Sequence, residues 1–420
     1  MVPTGFGSDT AFPEITQGPA EVRVAFDGPR GQGCVRFWGD IPQSPELPVE
    51  AGLATMLLPA MATGRALSLP GPLSPRVRRA LPEIQAVLAQ LAAESPTTHQ
   101  RLERIAVTAS RPARRSGDTR GRGVSAFFSG GVDSLATLLS NPDVTDLIYV
   151  HGFDVPIDRP DVSAAVERRL RKIAIRWDKP LRIVRTDMRG LLDAHVSWEI
   201  AHGPALAAIA LLFAPTCKRV LVASTASYAA PAPRGSHPLH DHLWSTERCS
   251  IEHDGAHLTR GKKTMLIAGH VDALEVLRVC WEKVDSYNCC KCEKCLRTMA
   301  LLEIIGALER CPTFPIPLDL DTIAALSPEP DVRTWWEENL LLARARGADP
   351  RLIAAIEACL APATKSEPAE LRDQLAEARA REATLERDLQ AVTTSRSWRM
   401  TEPLRRAGAA ARRLRRRGPT

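Results

Sequence analysis

Two groups of residues in this chain have the types and spacing that chemistry needs. The first is Ser129-Gly130-Gly131-Val132-Asp133-Ser134, which directly follows the apolar Val124-Ser-Ala-Phe-Phe128 and directly precedes a helical stretch. A loop that leaves a strand and enters a helix presents unpaired backbone N–H groups and the positive end of the helix dipole, so anions bind there. Gly130 and Gly131 let the backbone approach phosphate oxygens, and Ser129 and Ser134 add hydroxyl donors. Asp133 would repel phosphate unless a cation intervened, and is therefore expected to be a Mg²⁺ ligand. Neither the G-x-x-x-x-G-K-[ST] loop nor the G-x-G-x-x-G fingerprint is present here. The plainer alternative is a glycine turn with a polar cap.

The second group is Cys280, Cys289, Cys292 and Cys295, a C-x8-C-x2-C-x2-C run followed at once by the apolar Leu296 to Ile305 stretch. Four thiolates on short loops suit tetrahedral Zn²⁺, and a closed four-sulfur shell is structural rather than catalytic. Redox cysteines or an iron–sulfur cluster are the alternatives, and Cys290 is surplus. Five of the ten cysteines fall between Cys280 and Cys295, a clustering unlike a secreted disulfide framework. Weaker candidates surround these groups. His237, His240, Asp241 and His242 are rich in ligand atoms, but are expected to form a substrate-lining or solvated loop rather than a second metal site. Arg260, Lys262 and Lys263 are expected either to balance pyrophosphate or to form a solvated basic loop.

The elements that must position these residues change along the chain. Residues 1–118 open with alternating stretches, Glu21-Val-Arg-Val-Ala-Phe26 and Gly33-Cys-Val-Arg-Phe-Trp38, then a helix carrying Leu81, Ile84, Val87, Leu88 and Leu91. They are expected to make a small α+β domain, ending at the Arg111 to Arg122 linker. Over 119–312 strands are expected at Val124–Phe128, Leu147–Val150, Leu181–Val184 and Val220–Ala223. Helices are expected at Val132–Leu139, Val162–Trp177 and Ala205–Phe213. This alternation signals an α/β fold with a parallel sheet. Residues 313–362 read as a helical extension anchored by Trp335 and Trp336. In 363–420, Leu371, Leu375, Ala378, Leu385, Leu389 and Val392 keep a heptad spacing expected to form a short coiled coil, the alternative being a solvated helix.

The SGGVDS segment resembles the PP-loop of the N-type ATP pyrophosphatases, the superfamily of GMP synthetase, NAD synthetase and asparagine synthetase. With the cysteine spacing downstream, residues 120 to 305 most resemble 7-cyano-7-deazaguanine synthase-like proteins, while the sequence flanking the two motifs departs from theirs. The resemblance implies an adenine-nucleotide alpha-hydrolase-like, Rossmann-like parallel sheet with a zinc-binding C-terminal part. It also implies cleavage of ATP to AMP and pyrophosphate with adenylation of a carboxylate or amide, then attack by ammonia or another nucleophile. The cofactors implied are ATP, Mg²⁺ and Zn²⁺. Ser129, Asp133 and Ser134 are the implied catalytic residues. Ser129 to Ser134, with His151, Gly152, His202, Gly203 and Ser224 at neighbouring strand and helix ends, are the implied nucleotide site, although His202 alone reads equally as a packing residue. A tRNA-modifying PP-loop enzyme and a non-enzymatic scaffold in polysaccharide assembly are the alternatives.

Net charge is +6, yet residues 396–420 hold nine arginines against one glutamate, so the rest of the chain is slightly acidic. This gives no support for a basic body that grips duplex nucleic acid. The segment from Thr394 to Arg406 resembles the C-terminal extension of bacterial surface-polysaccharide glycosyltransferases, which implies a glycan pathway. An anionic membrane surface, a protein or RNA are the partners considered for this tail. A homodimer through the coiled coil and an ammonia-supplying partner complete the expectations, beside a small-molecule substrate. No apolar run approaches the ~20 residues of a spanning helix, so the protein is expected in the cytoplasm, either free or peripheral at the inner membrane face.

Overall fold

The computed structural model describes residues 10–28, 31–95, 98–110, 122–282 and 286–361. The chain opens with the short strands β1 (Thr10–Ala11) and β2 (Glu14–Gln17), then a hairpin of β3 (Glu21–Gly28) and β4 (Gly31–Gly39). The buried helix α1 (Val49–Thr63), β5 (Ala66–Pro72), α2 (Pro75–Glu94) and β6 (Val107–Ser110) come next. Helix α2 starts where it does because Ser74 Oγ accepts from the Val77 N–H and Pro75 occupies the first turn. Its stripe of Leu81, Ile84, Leu88 and Leu91 is buried.

Strands and helices then alternate: β7 (Gly123–Phe127), α3 (Val132–Ser140), β8 (Asp146–His151), α4 (Pro160–Arg176), β9 (Leu181–Thr186), α5 (Met188–Leu192), α6 (Trp198–Leu212), β10 (Cys217–Ala223) and β11 (Ser250–Asp254). Helix α6 begins at Trp198 rather than near Ala205, because Ser197 caps it by accepting from the Glu199 N–H. In the polar strand β11 only Ile251 is buried, so it has no hydrophobic pattern to announce it. Helices α7 (Arg260–Ala268), α8 (Val271–Val276), α9 (Glu293–Ile304), α10 (Leu320–Ala325), α11 (Pro330–Arg346) and α12 (Pro350–Leu360) complete the described chain.

The fold is α/β. A parallel three-stranded sheet has the order β1-β5-β6, and a mixed eight-stranded sheet the order β11-β10-β7-β8-β9-β4-β3-β2. Strands β11 to β9 of the larger sheet are mutually parallel, and β4, β3 and β2 continue it antiparallel. The N-terminal segment expected to stand as its own α+β domain thus shares a sheet and a core with the alternating strands and helices. Strand β4 pairs with β9 through Phe37, Trp38 and Gly39, and Phe37, Leu57 and Ile209 belong to one buried cluster. The physical reason is that β9 would otherwise be a bare sheet edge. A second core lies under α3 and α4 and runs on to the cysteines. The helical extension packs on α9 through a third, with Trp336 fully buried. Among the described residues no helix is long and apolar enough to cross a membrane. The heptad segment and the basic tail lie outside the described residues.

Candidate functional site

The turn between β7 and α3 is built as its sequence requires. Gly130 has φ +74°, and a Cβ there would stand 3.0 Å from both Leu170 Cδ2 and the Val276 carbonyl oxygen. Its own carbonyl accepts from the Arg278 N–H at 2.8 Å, which ties the loop to the segment after α8. Ser134 Oγ donates to the Gly131 carbonyl at 3.1 Å and lies 3.5 Å from Ser129 Oγ. Gly131 occupies the cap position of α3, and no side chain caps that helix.

Asp133, in the first turn of α3, faces two cations rather than open space. Its Oδ2 accepts from Arg260 Nη1 at 2.6 Å and its Oδ1 from Lys263 Nζ at 3.2 Å. Arg260 and Lys263 are one turn apart on α7 and so share a face, whereas Lys262 between them is exposed. Lys263 is 1% exposed and also donates to the Ser224 carbonyl. Burial acts to raise the Asp133 pKa, but the charges of Arg260 and Lys263 outweigh it and hold the carboxyl below its usual range. Asp133, expected as a Mg²⁺ ligand, here has both of its oxygens engaged by side-chain cations. The basic segment expected to be either counter-charge or solvated loop is a buried pair of cations on a helix.

A cleft of about 510 Å³ opens over this loop, at the C-terminal ends of β7, β8 and β10, where the order of the parallel strands reverses. That size is typical of small-molecule sites. Ser129, Gly131, Val132, Asp133 and Ser134 line it together with Arg260, Arg278 and Lys294. An apolar part comes from Ile148, Val150, Phe153, Leu206 and Val222, with Trp198 packed 5.0 Å from the Phe153 ring and covered by the Arg189 guanidinium at 4.5 Å.

The weaker sequence candidates fare differently. His151 is buried and turned from the cleft: its Nε2 donates to the Pro156 carbonyl at 2.9 Å, and Phe153 and Asp154 line the cleft in its place. Gly152 has φ +113°, and a Cβ there would meet the Thr186 carbonyl oxygen at 1.9 Å, so it is a packing glycine. His202 does line the cleft, but Nδ1 donates to the Trp198 carbonyl at 3.1 Å and Nε2 accepts from the Ser236 N–H at 3.3 Å. Burial lowers its pKa, and with both ring nitrogens engaged it forms part of the cleft wall. Gly203 lets the Gly235 carbonyl lie against α6, where a Cβ would be 1.7 Å from that oxygen. Ser224 is buried and donates to the Ala226 carbonyl, while its neighbours Ala223 and Thr225 reach the cleft.

The four cysteines come together. Cys292 caps α9 and Cys295 lies in its first turn, and the Sγ atoms of Cys280, Cys289, Cys292 and Cys295 all lie within 4.8 Å of one another. Cys289 and Cys295 are 3.8 Å apart, the edge of a tetrahedron with metal–sulfur bonds of about 2.3 Å. The Lys291 and Cys292 N–H groups point at Cys289 Sγ, at 3.5 and 3.2 Å. These donors fit a metal ion such as zinc. Cys290, at φ +58°, sends its thiol to the Asn288 carbonyl and stands outside the four. Asn288 ties the cysteine segment together, accepting from the Val279 and Cys280 N–H groups and donating to the Leu277 and Thr313 carbonyls. The cysteine cluster thus brings side chains to the cleft: Trp281 follows Cys280, and Lys294, on α9 between Cys292 and Cys295, has its Nζ 5.6 Å from the Trp281 ring centre. Sequence reasoning missed Lys294, Trp281 and Arg278, although their closeness to Cys280 and Cys295 was a usable signal.

Compared with known protein families, with curated proteins and with solved structures, the chain matches none.

Proposed function

We propose that the protein is an ATP-dependent enzyme of the PP-loop pyrophosphatase type. It adenylates the carboxylate or amide of a small molecule, releasing pyrophosphate, and then passes the activated group to ammonia or another nucleophile. The observation that carries the reading is the convergence, in one cleft, of an uncapped strand-to-helix turn with Arg260, Arg278 and Lys294, Arg260 being held beside the turn by Asp133. The strand order β9-β8-β7-β10-β11 supports a Rossmann-like nucleotide-binding sheet, with the ligand at its reversal point.

On this reading the Gly130 to Ser134 segment receives the pyrophosphate, whose charge Arg260 and Arg278 offset as it develops, with Lys263 buried behind Asp133. Mg²⁺ travels on the nucleotide's own phosphates, as is usual for a cation that dehydrates reluctantly. The apolar pocket of Ile148, Phe153 and Val222 takes the adenine, and the four cysteines hold Zn²⁺, which fixes the start of α9 so that it can present Lys294. A carboxylate-bearing glycan precursor is the substrate class that the tail's resemblance favours. The test is ATP labelled with ³²P, incubated with Mg²⁺ and a panel of hexuronic acids. AMP and pyrophosphate are the expected products, and ADP with phosphate would overturn the class.

A further inference from the structure

The histidine-rich run after β10 is not a solvated loop. Asp241 is buried and accepts four hydrogen bonds: from Ser236 Oγ at 2.7 Å, His253 Nδ1 at 2.8 Å, the His237 N–H at 3.2 Å and His240 Nδ1 at 3.3 Å. The donors fix both tautomers. His240 Nε2 accepts from the Trp244 indole at 3.0 Å, so its proton is on Nδ1 and both nitrogens are used. His253, near the C-terminal end of β11, also carries its proton on Nδ1, toward the carboxylate. Its Nε2 has no partner among the described residues.

His253 lines a cavity of about 20 Å³, room for one water-sized molecule. His202, Thr225 and Ser236 line both this cavity and the main cleft, so the two adjoin. A buried carboxylate with four donors that leaves one imidazole nitrogen free beside a single-molecule cavity has the arrangement of an oriented general base.

We propose that the small cavity holds the attacking ammonia and that His253, oriented by Asp241, is its general base. The assignment rests on the adenylation reading of the cleft. In the step, the nitrogen lone pair forms a C–N bond at the adenylated carbonyl carbon and one N–H proton passes to His253 Nε2. The C–O bond to the phosphate breaks, and AMP leaves with the electron pair. Asp241 then faces an imidazolium, and its role is that of a positioning residue.

The experiment separates the two half-reactions in the full chain. Activation is read as ATP–[³²P]pyrophosphate exchange with the same panel of hexuronic acids, and transfer as amide formed from ammonium chloride. In His253→Asn the amide nitrogen can still donate to Asp241 while the base is gone. Exchange should stay within about twofold of wild type and amide formation should fall about 100-fold. Hydroxylamine, largely unprotonated at neutral pH, should restore transfer as hydroxamate. Asp241→Asn should show the same split and the same rescue. Unchanged amide formation in His253→Asn overturns the assignment and leaves the cleft reading intact. Loss of exchange together with transfer in both variants also overturns it, since these residues would then serve the nucleotide site or the fold. Absence of exchange in the wild-type protein across the panel removes the cleft reading and this assignment together.

Discussion

Asp133, partly exposed in the first turn of α3, and Asp241, buried in the segment between β10 and β11, are both held below the usual carboxylate range against the opposing effect of burial. They differ in what they face. Asp133 meets Arg260 and Lys263, a guanidinium and an ammonium, so it anchors positive charge beside the glycine-rich loop. Asp241 meets two imidazoles, a hydroxyl and a backbone N–H, so it orients groups that can exchange protons. The partner decides whether such a carboxylate gathers fixed cations or orients imidazoles.

Four measurements test this contrast between the two carboxylates. The largest effect is expected from Cys292→Ser/Cys295→Ser, which removes two of the four thiols that could hold a metal ion and leaves the Asp241 network untouched. Structural zinc contributes on the order of 10 kcal/mol in small domains. Elemental analysis should give one zinc per wild-type chain and less than a tenth in the variant. Full retention would show that the four thiols are not the ligands.

Next is Asp133→Ala, which leaves the buried Arg260 and Lys263 without their shared carboxylate. Breaking a buried ion pair from one side costs about 3–5 kcal/mol, read from denaturant unfolding. Arg260→Met/Lys263→Met added to Asp133→Ala should recover most of it. A single-variant loss under about 1 kcal/mol would mean that water already screens the pair.

Gly203→Ala strikes the other carboxylate through the backbone. The new methyl would stand 1.7 Å from the Gly235 carbonyl oxygen and push the Ser236 to Asp241 turn off α6. Overpacking of this kind costs about 1–3 kcal/mol, measurable as a lower unfolding midpoint. A neutral Gly203→Ala would uncouple that turn from the helix.

The smallest effect is the response to pH. His202 and His237, next to Asp241, and His151, at the end of β8, all have folded pKa values below the ordinary 6.5, chiefly through burial. The folded state then binds fewer protons than the unfolded one. Their contribution is present above pH 6.5 and is lost as pH falls, by at most about 1.4 kcal/mol per pH unit for each histidine. Asp133 and Asp241, with depressed pKa values, contribute above the unfolded carboxylate pKa near 3.8 and lose that only as pH falls further. Unfolding midpoints between about pH 7.5 and 5.5 should therefore drop with pH in the wild type and drop less in His237→Ala. A flat wild-type profile would remove the pH sensitivity assigned to the Asp241 side.

Much of the glycine-rich strand-to-helix turn and of the cysteine cluster was legible in the sequence because each is a local construction. A turn from strand to helix needs its glycines, hydroxyls and flanking apolar run in consecutive positions, so Val124 to Ser134 announces itself. Thiols on short loops must likewise be close in sequence, and Cys280 to Cys295 gather as their spacing implies. The strands β7 to β10 were legible for a related reason, since a strand buried on both faces is a continuous apolar run.

The order of residues along the chain therefore specified local conformations and the side chains they expose, and tertiary structure alone decided their partners. Asp133 lies 127 residues from Arg260, and Asp241 lies 12 from His253 on a different element, so no periodicity could pair them. The same holds for the N-terminal hairpin completing the sheet at β9, and for His151, whose place at the cleft Phe153 and Asp154 take. Backbone geometry is set by neighbours in the chain, whereas burial and charge pairing are set by which distant segments the fold brings within a few ångströms.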